Sequence, residues 1–169
     1  ISTNPGAYTC TLDNSNSDVQ GLNASETLTE SFTVSVSDGT ATTSTTLSFT
    51  INGANDGPIG LTLSATSVAE NSAGATIGTL SAMDADGDTL TYSLASGGDY
   101  NSFEISGTTL KLKDSVAANY EANNVYDLTI TVTDGTASQS ISQEITVTNF
   151  NEANTSYYYG KADTNASSN

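Results

Sequence analysis

The feature that most constrains this chain is an internal copy of part of itself. Laid over each other without a gap at an offset of 96, residues 31–56 and 127–152 pair Phe32-Thr33-Val34-Ser35-Val36-Ser37-Asp38-Gly39-Thr40-Ala41 with Leu128-Thr129-Ile130-Thr131-Val132-Thr133-Asp134-Gly135-Thr136-Ala137. The match runs on through Phe49-Thr50-Ile51 over Ile145-Thr146-Val147 and ends with Asn55-Asp56 over Asn151-Glu152. Inside each copy apolar residues alternate with Thr or Ser, so one strand face is apolar and the other wet. The same alternation recurs at Leu47 to Ile51, Leu61-Thr62-Leu63, Leu90 to Leu94, Leu110-Lys111-Leu112 and Ile141 to Val147. Turn signals separate the runs: Ser37-Asp38-Gly39-Thr40, Asp86-Gly87-Asp88, Ser106-Gly107-Thr108 and Thr133-Asp134-Gly135-Thr136. Strands at roughly ten-residue spacing predict an all-β, two-sheet antiparallel sandwich, and a repeat offset near 100 is the period of such a unit.

The offset therefore divides the chain into a tandem array cut out of register. Residues 57–152 form a complete unit, whereas 1–56 hold only the C-terminal strands of a first, incomplete one. A half sandwich cannot bury its own sheet face and leaves an edge open, so something must complete it. Residues 153–169 do not continue the repeat, yet they contain the strand-like Thr155-Ser156-Tyr157-Tyr158-Tyr159-Gly160. Two readings of this tail stand side by side: an ordinary frayed terminus, or a donated strand that fills the missing half of another subunit, as in polymeric pilins.

Composition narrows the function. With 28 Thr and 24 Ser against 2 Pro and 1 Met, the chain favours strands and turns over helices, while 36% hydrophobic residues, periodically placed, suffice for folding. A length of 169 residues excludes two large lobes around a deep catalytic cleft. The 19 Asp+Glu against 3 Lys+Arg give a net charge of -16, which a nucleic acid or anionic membrane surface would repel. There is no His, no Arg and no Trp, and Cys10 is the single cysteine, which removes His-based general bases, His/Cys metal sites, Cys–His nucleophiles and internal disulfides together. No apolar run approaches a membrane span, and secretion would rely on a leader already removed or on a signal outside this segment.

What remains is oxygen chemistry. Asp84-Ala85-Asp86-Gly87-Asp88 sets three carboxylates at alternate positions around a turn, where they repel one another unless a cation lies among them. Hard oxygen ligands select Ca²⁺ over transition metals. The EF-hand pattern fails, because Gly87 is fourth in the loop and Ala95 stands twelve along. Alone, the triplet fits a solvated acidic turn as well as a calcium site.

The other acids extend the pattern. Val68-Ala69-Glu70-Asn71, Asp84-Ala85-Asp86, Tyr120-Glu121, Val132-Thr133-Asp134-Gly135 and Asn151-Glu152 follow one another in order. With Phe103-Glu104-Ile105, Leu110-Lys111-Leu112 and Tyr126-Asp127-Leu128-Thr129-Ile130 around them, residues 58–152 resemble a cadherin repeat. Residues 7–58 resemble the end of a VCBS repeat, through Tyr8-Thr9-Cys10-Thr11-Leu12-Asp13-Asn14, Leu22-Asn23-Ala24-Ser25-Glu26-Thr27-Leu28, the strand at Phe32 and Asn55-Asp56-Gly57-Pro58. Such repeats occur in large bacterial RTX-type surface adhesins, often beside cadherin-like ones. The resemblance implies tandem immunoglobulin-like sandwiches with Ca²⁺ at their junctions. By that similarity Asn55, Asp56, Asp84, Asp86 and Asp134 converge between the two units with Glu26 beside them, and Glu70, Glu121, Asn151 and Glu152 meet at the far end. The chain departs from the family at Gly53, where eukaryotic cadherins carry an acid, at Asn119 before Tyr120-Glu121, and at Asn154 in place of a Pro.

Three other readings compete. Paired carboxylates could hydrolyse glycosides, but such sites use aromatic sugar platforms and the chain has no Trp. A passive halophilic spacer would scatter its acids over strand faces, whereas these cluster at turns and linkers. A carbohydrate- or ice-binding tip is compatible with the Thr-rich runs 42–46 and 129–133, and a cell-surface glycan is then a partner, although Thr alternation is more simply the wet face of a sheet. The acceptor tripeptides at Asn23, Asn154 and Asn165 are frequent by chance in a Ser/Thr-rich chain. The sequence thus reads as a secreted, non-enzymatic, calcium-stiffened module of a bacterial surface adhesin or extracellular fibre, with other copies or neighbouring repeats as head-to-tail partners.

Overall fold

The computed structural model describes residues 9–150. Strands β1 (Thr27–Ser37) and β2 (Thr42–Asn52) pair antiparallel along their whole length as an isolated hairpin, from Thr27 opposite Asn52 to Ser37 opposite Thr42. After a linker at 53–58, eight strands follow: β3 (Ile59–Leu63), β4 (Ser67–Ala69), β5 (Thr76–Met83), β6 (Thr91–Leu94), β7 (Phe103–Ser106), β8 (Thr109–Leu112), β9 (Val125–Thr133) and β10 (Ser138–Thr148). They form two four-stranded sheets, ordered β4-β10-β9-β6 and β3-β5-β8-β7. Every pairing is antiparallel except the short β4, which runs parallel to the end of β10. The all-β sandwich expected from the alternation is the architecture observed.

The sandwich closes because alternation on facing strands puts one set of side chains inward. On β9, Tyr126, Leu128, Ile130 and Val132 are buried while Asp127 and Thr129 between them face water. Ile145 and Val147 of β10 extend this layer, and Leu80, Leu110, Leu112 and Phe103 answer it from the other sheet. Phe103 meets Tyr126 edge-on, with ring centroids 5.2 Å apart, a favoured arrangement of two aromatic quadrupoles.

Two strands escape the period-two reading for identifiable reasons. β4 has three residues, too few to display a period. β5 buries Ile77, Gly78 and Leu80 because its register against β8 shifts between Thr76 and Gly78, which puts two successive residues inside. A single helical turn, Ser17–Gln20, also precedes β1, with the Asn16 side chain accepting from the Asp18 backbone N–H at 2.8 Å.

The internal repeat holds at the level of single hydrogen bonds. Adding 96 to β2 gives the bounds of β10, and the β1–β2 register becomes that of β9–β10. In the first turn Asp38 Oδ1 accepts from the N–H groups of Thr40 and Ala41 at 2.9 and 2.8 Å; in the second Asp134 Oδ1 accepts from Thr136 and Ala137, both at 2.6 Å. Gly39 and Gly135 both take positive φ, 91° and 100°, where a side chain would be strained. What differs is the cover over the inward face. Val132 is 0% exposed and its counterpart Val36 71%; Leu128 is 3% exposed and Phe32 50%.

Candidate metal centre

The loop leaving β5 gathers the acids. Gly87, at φ 75°, lets the chain turn back within five residues. Asp84 Oδ1 then accepts from the backbone N–H groups of Asp86 at 3.0 Å and Asp88 at 3.3 Å, which fixes the loop from inside. Asp86 Oδ2 accepts the backbone N–H of Asp56 at 2.8 Å, and Asn55 Nδ2 donates to Asp134 Oδ2 at 2.9 Å. The linker is thereby bound to two different loops of the sandwich, one after β5 and one between β9 and β10.

These bonds leave a remainder. Asp84 Oδ2 and Asp86 Oδ1 are shielded from solvent and have no hydrogen-bond partner. Carboxylate oxygens of Asp84, Asp86 and Asp88 lie within 4.8 Å of one another. Burial, followed by the like charges of Asp84, Asp86, Asp134 and Glu26, raises the Asp88 carboxyl above its ordinary value. The Asn55 amide and then the two turn N–H groups lower the Asp134 carboxyl below its own. An orphaned, shielded carboxylate oxygen is costly unless a cation faces it. The donor set consists of hard oxygens, which fits Ca²⁺ and offers nothing to a thiophilic metal.

The linker's glycines are explained by close approach. A Cβ on Gly53 would lie 2.2 Å from the carbonyl oxygen of Asn23 and 2.4 Å from that of Leu22, while the Gly53 N–H donates to the Glu26 carbonyl at 2.9 Å. No acid fits there without moving the backbone, which accounts for the departure seen in the sequence. Glu26 is exposed; its Oε2 accepts from Asn23 N–H at 3.2 Å, and its charge reaches Asp88. The structure thus brings Asn55, Asp56, Asp84, Asp86 and Asp134 together, with Glu26 at the margin. It adds Asp88, which the sequence reading placed in the acidic triplet but not at the junction. The signal was the alternation itself, since Asp84, Asp86 and Asp88 share one side of the turn.

At the opposite end Glu70 is buried, 4% exposed. Its Oε1 accepts from Phe150 N–H at 2.5 Å and its Oε2 from Tyr120 N–H at 3.1 Å. These backbone donors, Phe150 first, and then a side-chain hydrogen bond with Glu121, lower its carboxyl below the ordinary value. Asn149 Nδ2 donates to Glu121 Oε1 at 3.4 Å. Glu70 and Glu121 therefore meet, while Asn151 and Glu152 lie outside the described residues. Here the carboxylate of Glu70 is satisfied by the protein itself, in contrast to the orphaned oxygens at the junction.

A two-sheet sandwich with acids gathered where a linker enters it defines a tandem β-sandwich repeat module. The family model described as Cadherin domain matches residues 64–149, just over half of the chain, and the chain belongs to that family. No curated protein matches the chain. Among solved structures, the chain is similar to human protocadherin-24 EC1-2, at 27% identity over 56% of this chain and 44% of that one, with a TM-score of 0.47. It is also similar to protocadherin gamma B2 extracellular cadherin domains 1-5, at 19% identity over 72% and 27% with a TM-score of 0.53, and to a protocadherin gammaB7 EC3-6 cis-dimer structure, at 21% over 73% and 33% with a TM-score of 0.53. The last two bear on the fold alone. The chain spans less than half the length of each of these structures.

Proposed function

We propose that this chain is an extracellular, non-enzymatic adhesion module in which Ca²⁺ stiffens the junction between a first, VCBS-type unit ending near residue 56 and the cadherin sandwich that follows. The observation carrying this reading is the pair of shielded, unpartnered oxygens on Asp84 and Asp86 beside Asp88 and Asp134. Asp84, Asp86, Asp88 and Asp134 would hold the ion from the sandwich, and Asn55 and Asp56 from the linker. When bound, the ion supplies the positive charge that these acids lack, and so ties linker to sandwich. Cadherin domains are extracellular adhesion modules, and no helix among the described residues is long and apolar enough to cross a membrane. The setting that fits the acidic, Thr/Ser-rich composition and the tandem repeat is a bacterial surface adhesin or an extracellular fibre.

Extracellular modules bind Ca²⁺ with Kd of about 10⁻⁴–10⁻³ M. Titrating Ca²⁺ into chelator-treated protein should give saturable heat in that range and raise the melting temperature by mass action. Calorimetric silence together with an unchanged melting temperature would remove calcium from the mechanism.

A further inference from the structure

The β1–β2 hairpin presents the same inward face as β9–β10, with no sheet over it. Leu28, Phe32 and Val34 of β1 stand beside Leu47, Phe49 and Ile51 of β2, and Phe32 meets Phe49 at a centroid distance of 6.0 Å. Residues 10–19 pass along one side, leaving a groove of about 720 Å³ floored by Leu28, Phe32, Phe49 and Ile51. It continues into a second cavity of about 260 Å³ that shares Cys10, Phe32 and Phe49. The groove is apolar with an acidic margin, formed by Asp13, Asp18 and Glu30.

We infer that this groove receives the segment 155–161 of a second copy of the chain, so that copies join head to tail. Three observations select this occupant. The first is charge: in a chain of net -16, residues 153–169 carry only Lys161 and Asp163, and Lys161 follows Tyr157-Tyr158-Tyr159 by two positions, an apolar stretch with a cation for Glu30 or Asp18. Secondly, a hairpin from another copy, the self-complementary alternative, would bring two Glu30 carboxylates into one apolar layer. The third is reach. Phe150 is anchored on Glu70 at the end of the sandwich opposite the linker. β10 alone, with 11 residues, separates those ends by about 36 Å. The seven residues from Phe150 to Tyr157 span at most about 25 Å fully extended, so the tyrosines do not reach the groove of their own chain. A contact between unlike ends does not close on itself and propagates as a fibre.

Cys10 lines the groove and is the chain's single thiol, which gives a direct test. The full chain carrying Tyr158→Cys is oxidised mildly in chelator, so that calcium-dependent association does not contribute. The expected product is a ladder of covalent oligomers whose digest contains Cys10 joined to the introduced thiol, with Thr108→Cys, on an exposed turn of the sandwich, giving none. A disulfide within one chain, growth that stops at dimers, or equal cross-linking of the Thr108 variant would overturn the inference. In sedimentation of the unoxidised protein, Glu30→Lys should stop growth and adding Lys161→Glu should restore it. A double variant as inert as the single one would exclude the tail as the occupant. Calcium binding is untouched by either outcome, so this inference and the metal reading fail separately.

Discussion

Val36→Ala and Val132→Ala are the same chemical change at equivalent places in two copies of one hairpin, and they should have very different costs. Both valines lie near the turn end of the longer strands, Val36 opposite Thr43 and Val132 opposite Gln139 in matching register. The loss of strand propensity, at most about 1 kcal/mol, is therefore common to both and cancels in the difference. Burial does not cancel: Val132 is 0% exposed and Val36 71%. Removing two buried methyl groups loses about 1.6 kcal/mol of transfer free energy at roughly 0.8 per carbon, and the residual cavity brings the total to about 2–3 kcal/mol. With less than a third of its surface covered, Val36 loses about 0.5 kcal/mol by the same reckoning. For a sandwich of this size, each kcal/mol moves the melting temperature by about 4–8 °C, and a urea m-value of about 1–3 kcal/mol/M gives a midpoint shift near 1 M. The assay is urea and thermal unfolding of dilute protein, followed by the near-ultraviolet dichroism of the tyrosines, of which Tyr126 packs on Phe103 in the core. Equal losses at the two positions would refute the reasoning, because they would mean that the β1–β2 face is as well covered as the core.

Asp134→Ala should weaken Ca²⁺ binding measured by calorimetry, whereas Asp38→Ala should leave it nearly unchanged, because only Asp134 has a linker amide and other carboxylates in front of it. Asp88→Asn should raise the melting temperature in chelator at neutral pH and lower Ca²⁺ affinity. The Asp88 carboxyl is raised in the fold, so its contribution to stability falls as pH rises through the window above its ordinary value, and the variant should flatten that part of the profile. Glu70 has the opposite sign: its lowered carboxyl contributes stability that is fully present above its ordinary value and is lost as pH falls through the folded one, so Glu70→Gln should blunt acid unfolding of the sandwich. Gly53→Ala should cost about 1–3 kcal/mol through the displaced carbonyls of Leu22 and Asn23, detectable as faster proteolysis of the segment before the linker.

Legibility in the sequence followed physical locality. β1, β2, β9 and β10 could be read because their alternation is long and the repeat shows it twice. β5 could not, since a shift of register between Thr76 and Gly78 makes its inward set aperiodic, and nothing in the residue types announces where that shift falls. At the site, Asp84 and Asp86 stood out as neighbours in a turn, but their meeting with Asn55, Asp56 and Asp134 depends on chain segments far apart in sequence and was implied only by resemblance. Gly53 read as a missing acid; the carbonyls that exclude any side chain there belong to a loop some thirty residues earlier. That Glu70 is buried and satisfied by backbone donors, rather than waiting for an ion, depends on how the ends of β4 and β10 pack, which residue types do not encode.

The two copies of the turn show what a junction adds to a hairpin. In both, the aspartate closes the turn with two backbone hydrogen bonds and a glycine at positive φ, so the acid has a sufficient local reason to be there. Only around Asp134 do further acids converge, and there the tie between linker and sandwich consists of polar bonds that end on carboxylates: Asn55 on Asp134 and the Asp56 backbone on Asp86. Those bonds recruit another acid, Asp56, to a place already occupied by three, so that each step which assembles the junction also increases its internal repulsion. A cation bound only by the assembled arrangement reverses that balance, contributing about 1.4 kcal/mol at ten times its Kd. The same residues can therefore give a flexible link in the absence of the ion and a stiff one in its presence, with the local turn unaltered in both states, because the bonds that shape the turn use Asp134 Oδ1 and leave Oδ2 to the linker.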